Sequence, residues 1–183
     1  MAIKRQKLDR RVNLIMDGDR VVDMPPGWKL TVDCPHHGKV ILDFTEHLGC
    51  GRDEIVGHLR DAFWSLRTEF VGTTLKSMFN TGYKCFWRYL KDTDPTVDNI
   101  TLLSQVDRSV VDQFLAWLEL QPALRGNRKG QPLSLAARKI AFNHVKTLLR
   151  NRQERNSAAV SKKLDSPRNP FPNADRLMPS REA

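Results

Sequence analysis

The sequence predicts a mainly α-helical protein that begins with a small strand-rich unit. Apolar and polar residues alternate in two short segments before residue 50, which is typical of strands, whereas from Gly72 onward apolar residues recur at three- and four-residue spacing. That second spacing is typical of amphipathic helices. The chain of 183 residues is 40% hydrophobic, which is enough to bury a core.

Two β-hairpins and one helix are predicted for residues 1–71. Asp17-Gly18 lies between two short apolar segments, and this residue pair accepts the positive φ angles of a type I′ turn. A second hairpin is predicted where residues 28–34 and 39–44 alternate on either side of a Pro-His-His-Gly turn. Asp53 is the expected N-cap of a helix over 53–70.

Three longer helices and a short fourth one are predicted for residues 72–165. The second helix starts near Asp107, the third follows the N-cap Ser134, and the fourth covers 158–164. Residues 166–183 contain three prolines in their first seven positions and are predicted to be a linker. The expected core positions of the three longer helices are Leu75, Phe79, Tyr83, Phe86, Tyr89 and Leu90, then Val110, Val111, Phe114, Trp117 and Leu118, then Ala137, Ile140, Ala141, Val145, Leu148 and Leu149.

The formal net charge of +9 is distributed unevenly along the chain. Residues 123–183 contain 14 Lys and Arg against four acidic residues, whereas residues 1–122 are nearly neutral. A segment this basic favours a polyanionic partner, of which nucleic acid is the commonest. A solvated basic tail is the alternative, but many of these bases lie on patterned helices.

Two of the predicted helices carry a basic stripe on one face. Lys and Arg neutralise phosphates, and Asn reads purine edges in the major groove of DNA. The alternative is that every helix of a bundle needs a polar outer face. Stripe A consists of Lys76, Asn80, Lys84 and Arg88, stripe B consists of Lys139, Asn143, Lys146 and Arg150, and further candidate DNA contacts are Arg125, Arg128, Lys129, Lys162 and Lys163.

Residues 74–164 resemble the core-binding domain of tyrosine recombinases, the phage-integrase family. Residues 75–90 are similar to the opening helix of that domain, residues 100–118 to its second helix and residues 134–149 to a later one. Residues 168–171 are similar to the linker that leads into the catalytic domain. Leu75 and Ala137 replace threonines of the family pattern, and Gly82 falls inside the first helix.

The resemblance implies a SAM-like four-helix bundle whose first and third helices grip DNA as half of a C-shaped clamp. Stripes A and B lie on those two helices. Residues 1–71 would then be the variable unit that precedes the clamp, and residues 166–183 would lead toward a catalytic domain that this chain lacks.

Tyrosine recombinases cleave DNA with a tyrosine nucleophile that arginines, a lysine and histidines assist. The two tyrosines of this chain, Tyr83 and Tyr89, both fall at core positions of a helix. His58-Leu-Arg60 does not have the His-x-x-Arg spacing of the family. His144 is expected to be half-buried or to face DNA. We therefore expect no catalytic residue, and no enzymatic activity of this chain alone.

The first functional hypothesis is the DNA-binding portion of a site-specific recombinase that grips a half-site during integration or excision of mobile DNA. Its partners would be double-stranded DNA and other recombinase subunits on that DNA. The second hypothesis is a stand-alone helical interaction or accessory protein whose basic surface meets an acidic protein. The third hypothesis is a complete enzyme, which only a candidate zinc site supports.

That zinc site would use Cys34, His36, His47 and Cys50, which are suitable ligand types. The residues around His36 also make an adequate turn by themselves, and we expect neither a metal nor a cofactor. The three cysteines are widely spaced, which favours reduced thiols. No signal peptide and no apolar run of about 20 residues is visible, so we expect a cytoplasmic protein without membrane contact.

Overall fold

The computed structural model describes residues 16–17, 20–21, 24–34, 38–92, 100–124, 129–167 and 170–172, and these residues are mostly helical. The fold class predicted from the sequence is therefore confirmed at this level. Two antiparallel hairpins come first, β1 (Met16–Asp17) with β2 (Arg20–Val21) and β3 (Lys29–Cys34) with β4 (Gly38–Asp43). The helices are α1 (Asp53–Leu66), α2 (Gly72–Ser77), a π-helix (Met78–Tyr83), α3 (Lys84–Asp92), α4 (Arg108–Leu120) and α5 (Leu135–Arg155).

The β3–β4 hairpin buries one face and exposes the other. Leu30, Val32 and Leu42 point into the core, because successive side chains of a strand face opposite sides. On the outer face Lys29 lies opposite Asp43, and their charged groups are 3.0 Å apart. The outer face also places Asp33 opposite Lys39, so its charges are balanced.

The helix predicted over 53–70 is shorter in the structure and begins differently. Arg52 occupies the N-cap position and Asp53 is the first helical residue, where its carboxylate accepts a hydrogen bond from the Gly49 amide at 2.8 Å. The helix ends at Leu66, and the Phe70 amide bonds back to the Leu66 carbonyl. Phe70 packs against the core although it lies after the end of the helix. Its apolar spacing therefore made the predicted helix too long.

Residues 72–92 form one continuous helical path in three segments. A π-helix separates α2 from α3, where the sequence predicts a single regular helix. Inside it, the Thr81 hydroxyl donates to the Ser77 carbonyl at 2.7 Å. At Gly82 the path approaches α5 so closely that an added Cβ would lie 2.4 Å from the Cβ of His144.

The start of α4 next to Asp107 and the N-cap of α5 at Ser134 agree with the sequence prediction. The Asp107 carboxylate accepts from the Val110 amide, and the Ser134 hydroxyl accepts from the Ala137 amide, each at 3.2 Å. These side chains satisfy amides that have no partner within the first turn of a helix.

The C-terminal part of the bundle differs from the prediction. Helix α5 continues past Leu149 to Arg155, and a 3-10 helix over Ser157–Ala159 replaces the short helix expected at 158–164. The Asn156 side chain ends the long helix because it accepts a hydrogen bond from the Ala159 amide at 3.0 Å. Within the described residues, the bundle therefore has no fourth α-helix after α5.

A single hydrophobic core joins the hairpin, α1 and the later helices. The ring of Phe44 lies 5.8 Å from that of Phe63, 5.0 Å from Phe79 and 5.1 Å from Tyr83, measured between centroids. The two units predicted at 1–71 and 72–165 consequently share one core.

The start of the predicted linker also packs on this body. Phe171 is buried with its ring 6.0 Å from Phe142 of α5, and the Lys146 ammonium donates to the Pro167 carbonyl at 3.2 Å. The rest of the predicted linker, Arg168, Asn169 and 173–183, lies outside the described residues.

Candidate nucleic-acid interface

Stripe A runs along the outside of the path from α2 to α3. Lys76 and Asn80 are exposed, and within the described part of the chain neither side chain has a hydrogen bond or an ion pair. Lys84 pairs with Glu46 at 3.0 Å, and the hydrogen bond from Lys84 is the main reason that the pKa of the Glu46 carboxyl lies below its usual value. Lys76 and Asn80 are therefore without a side-chain partner among the described residues, whereas Lys84 already holds an ion pair.

Arg88 is the most firmly held member of stripe A. Its guanidinium donates to the Gln121 side chain at 2.6 Å and lies 5.1 Å from the centroid of the Trp117 ring. Both contacts fix the direction of the side chain before any ligand arrives, which lowers the entropy lost on binding.

Stripe B runs along the outside of α5. Asn143 and Arg150 are exposed, while Lys139 and Lys146 are half-buried. The Lys146 ammonium is already hydrogen-bonded to the Pro167 carbonyl, so it is less available to a ligand than the helical spacing indicated. Two of the four members, Asn143 and Arg150, are exposed and have no side-chain partner within the described part of the chain.

The helices that carry the two stripes contact each other at Gly82 and His144. Thr81 uses its hydroxyl proton on Ser77, so the His144 Nδ1, 2.7 Å from the Thr81 oxygen, must carry the proton of that second hydrogen bond. Partial burial lowers the pKa of His144. This contact fixes the position of stripe A relative to stripe B, and neither Thr81 nor the role of Gly82 was singled out from the sequence.

A groove of about 580 Å³, here called the apolar groove, lies between the π-helix, α3 and α5. Asn80, Lys84 and Arg88 line one side of it, and no acidic residue lines it within the described part of the chain. Its apolar lining includes Cys85, Leu124, Leu133, Ala137, Ile140 and Ala141.

Ile140 was predicted to lie in the core, and this prediction is wrong. Its side chain is 44% exposed at the apolar groove. The neighbouring Ala141 and Phe142 are the residues that α5 buries at this level. Apolar spacing could not distinguish a side chain that faces the core from one that faces a groove.

A second groove of about 570 Å³, here called the polar groove, lies on the other side of stripe A, against β4. Lys76, Asn80 and Lys84 line it, but so do Asp43 and Glu46. Hydrogen bonds from Thr45 lower the pKa of Asp43 to about 2, and Lys29 adds to this effect, so Asp43 is ionised. Lys29 lines this groove as well, so three lysines face two acids here, whereas in the described part of the chain the apolar groove has Lys84 and Arg88 and no acid to repel an anion.

The remaining predicted DNA contacts are spread over other parts of the chain. Lys129 is exposed and pairs through its backbone with Ala123, beside the apolar groove. Lys162 and Lys163 are exposed, and the Lys163 carbonyl accepts from the Arg108 amide at the start of α4. Arg125 and Arg128 lie outside the described residues.

Both tyrosines lie in the core, as predicted. Tyr83 is fully buried among aromatic rings, and burial raises the pKa of its hydroxyl. The Tyr89 hydroxyl is directed at the Val110 carbonyl at 3.4 Å and the Gln113 side chain at 3.3 Å. Neither hydroxyl is placed to attack a phosphodiester at the surface.

The four candidate zinc ligands have different surroundings. Cys34 is buried in β3, Cys50 is exposed, and the His47 ring lies among aromatic rings. His36 lies outside the described residues. Among the residues that are described, no three His, Cys, Asp or Glu side chains are grouped so that they could hold a metal ion.

Comparisons with protein-family models, with curated proteins and with solved structures found no match to this chain. In the described part of the chain, no helix combines the length and the apolar character needed to cross a membrane.

Proposed function

We propose that this chain is the DNA-binding portion of a cytoplasmic, site-specific tyrosine recombinase that grips a double-stranded half-site during integration or excision. One observation supports this most directly. The helices carrying stripes A and B pack against each other, and among the described residues the apolar groove between these helices is lined by two cations, Lys84 and Arg88, and by no acidic residue. Under the proposal, the path from α2 to α3, helices α4 and α5, and the segment after α5 correspond to a SAM-like core-binding bundle.

Under the proposal, the exposed cations bind phosphates first. Lys76 and Arg150 have no competing partner among the described residues and can neutralise phosphates directly. Lys84 would have to exchange Glu46 for a phosphate. That exchange is inexpensive, because an exposed ion pair contributes only about 0–1 kcal/mol.

The proposal assigns binding, and not strand cleavage, to the residues of this chain. Both tyrosines are buried, and burial raises the pKa of Tyr83, so under the proposal neither supplies a nucleophile and the cutting chemistry would belong to a further domain of the recombinase. Other recombinase subunits on the same DNA would be the protein partners. No metal or cofactor takes part in the proposed binding.

The first test is the salt dependence of binding to a labelled duplex, measured by fluorescence anisotropy. If the stripes make about 6–10 phosphate contacts, affinity falls roughly 10³- to 10⁵-fold between 50 and 200 mM salt. Binding that is not saturable at low salt would refute the proposal.

A charge-matched pair of variants locates the binding surface. We expect Lys76→Glu/Arg150→Glu to remove most of the affinity, because both side chains lie on the stripes. The control Lys39→Glu/Lys91→Glu changes the net charge equally at exposed positions outside the stripes and should lose much less. Equal losses in the two variants would show that only net charge matters.

The apolar lining of the groove favours a second candidate function, a helical accessory module that binds an acidic protein. An amphipathic helix with acidic residues could place its apolar side against Leu124 and Ile140 and its charges near Arg88. This alternative predicts only weak, non-saturating DNA binding and a stoichiometric protein complex. The salt titration therefore separates the two candidates.

A further inference from the structure

An aliphatic side chain at the apolar groove and an exposed amide side chain are neighbours on α5. Ile140 and Asn143 are three residues apart, which makes them neighbours on a helix. Both are exposed, and the Asn143 amide has no hydrogen bond within the described part of the chain. Ile140 therefore exposes apolar surface beside a free hydrogen-bonding group.

This combination matches the edge of one kind of base pair. In the major groove an A·T pair presents the thymine methyl group together with the N6 donor and N7 acceptor of adenine. Asn pairs with both adenine positions, and an apolar side chain contacts the methyl group. A G·C pair would instead present guanine O6, an acceptor, to the Asn143 side-chain oxygen, and it lacks the methyl group that Ile140 would contact.

We propose that Ile140 and Asn143 read an A·T pair in the DNA half-site, Ile140 through the thymine methyl group and Asn143 through adenine N6 and N7. This inference rests on the proposed function, because it requires α5 to contact DNA. It adds sequence readout to a surface that otherwise binds phosphates.

Neighbouring contacts hold in place the part of α5 that carries Ile140 and Asn143. Ala141 and Phe142, between them in sequence, are buried in the core. The next residue, His144, is hydrogen-bonded to Thr81 on the neighbouring helix. A helix anchored on both sides holds its exposed side chains in fixed directions, which base readout requires.

A neighbouring cation fits the same pose. Arg150 of stripe B is exposed two turns further along α5, so it would meet a phosphate beside the base pair. Asn80 lies across the apolar groove that Ile140 lines and offers a second exposed amide there.

The experiment begins with the selection of preferred duplexes from a random-sequence library by the intact chain. Each thymine of the selected site is then replaced by uracil, which lacks only the methyl group. We expect one position where uracil weakens binding by about 3- to 5-fold, the effect of removing one buried methyl group. In Ile140→Ala the same replacement should have no effect, since the contact has already been removed.

A second cycle tests the amide. Replacing the paired adenine by 7-deazaadenine removes the N7 acceptor and should weaken wild-type binding about 5-fold or more. Asn143→Ala should be insensitive to this replacement. Ile41→Ala is the matched control, because Ile41 is an exposed isoleucine of β4, and it should keep both sensitivities.

The outcomes separate the two proposals. Absence of DNA binding would overturn both the proposed function and the readout. Saturable binding without an enriched sequence, or an equal uracil effect in wild type and Ile140→Ala, would overturn the readout alone. Should the Ile140 variant fail to fold, as judged by circular dichroism, a wild-type protein insensitive to uracil at every thymine would still overturn it.

Discussion

His47 is a buried titratable side chain surrounded by aromatic rings. The centroid of its ring lies 5.0 Å from that of Tyr83 and 5.2 Å from that of Trp87. Burial lowers the pKa of the imidazole, although the Glu46 carboxylate, 3.6 Å from Nε2, opposes this effect. Since His144 is also shifted downward by burial, two histidines favour the neutral form in the folded protein.

These lowered pKa values predict that acid destabilises the fold. The unfolded chain binds the protons more readily, so the free energy of unfolding should fall as the pH drops below the usual histidine value of 6.5. Urea denaturation between pH 7.5 and 5.5 measures this slope. We expect a smaller slope in His47→Leu, with His144 supplying the remainder, and an unchanged slope would contradict the assignment.

Individual residues were predictable where one strong rule decides their environment. Large aromatic residues at helical spacing, such as Phe79 and Tyr83, are buried as predicted. Ile140 was not predictable, because its exposure depends on what the neighbouring helices leave open. Likewise, the ion pair between Lys84 and Glu46 was not predictable, because Glu46 lies in a 3-10 helix, Thr45–His47, that is distant from Lys84 in sequence.

At the scale of elements, a glycine lets the π-helix lie directly against α5. Gly82 lies against His144, and only the lack of a side chain permits this distance. Gly57 in α1 is also helical, but an added Cβ there would be 3.9 Å from the Trp28 ring, an ordinary contact. The two glycines therefore allow a matched comparison.

Gly82→Ala should destabilise the protein by about 1–3 kcal/mol, because the new methyl group overpacks a backbone contact. Gly57→Ala should be neutral or stabilising by about 0.5–1 kcal/mol, since alanine is the better helix former. Thermal unfolding followed by circular dichroism measures both variants. A stable Gly82→Ala protein would mean that the helices can separate at no cost.

The extent of α5 shows why elements were predicted incompletely. Beyond Leu149 its buried side chains are polar: the Asn151 amide donates to the Ser65 hydroxyl at 3.2 Å, and Arg152 is fully buried beside His58. Apolar periodicity does not reveal buried pairs of polar side chains. Helix caps at Asp107 and Ser134, in contrast, depend on local chemistry and were predictable.

At the scale of the molecule, the ring of Phe44 joins the β3–β4 hairpin to the helices. This residue follows β4 yet contacts rings from α1 and from the π-helix. A boundary near residue 71 was predicted from the change between strand and helix patterns. Side-chain packing between distant segments leaves no such pattern, so the shared core could not be predicted.

A shared core predicts one cooperative unfolding transition. In calorimetry the measured and van't Hoff enthalpies should agree. Phe44→Ala should cost about 3–5 kcal/mol because it leaves a cavity among aromatic rings. Val71→Ala, at an exposed position of the predicted boundary, should have little effect. Two separate transitions would instead show that residues 1–71 and 72–165 fold independently.

The π-helix has a geometric consequence for stripe A. In a regular α-helix, residues four apart advance by about 40° beyond one full turn, so a row at this spacing slowly winds around the axis. The wider turn of a π-helix rotates each residue less and counteracts that winding. Asn80 and Lys84 line both grooves, whereas of the two grooves Lys76 lines the polar one and Arg88 the apolar one, so the row still passes from one groove to the other. Six residues of π-helix thereby reduce, without removing, the rotation of stripe A around its helical path.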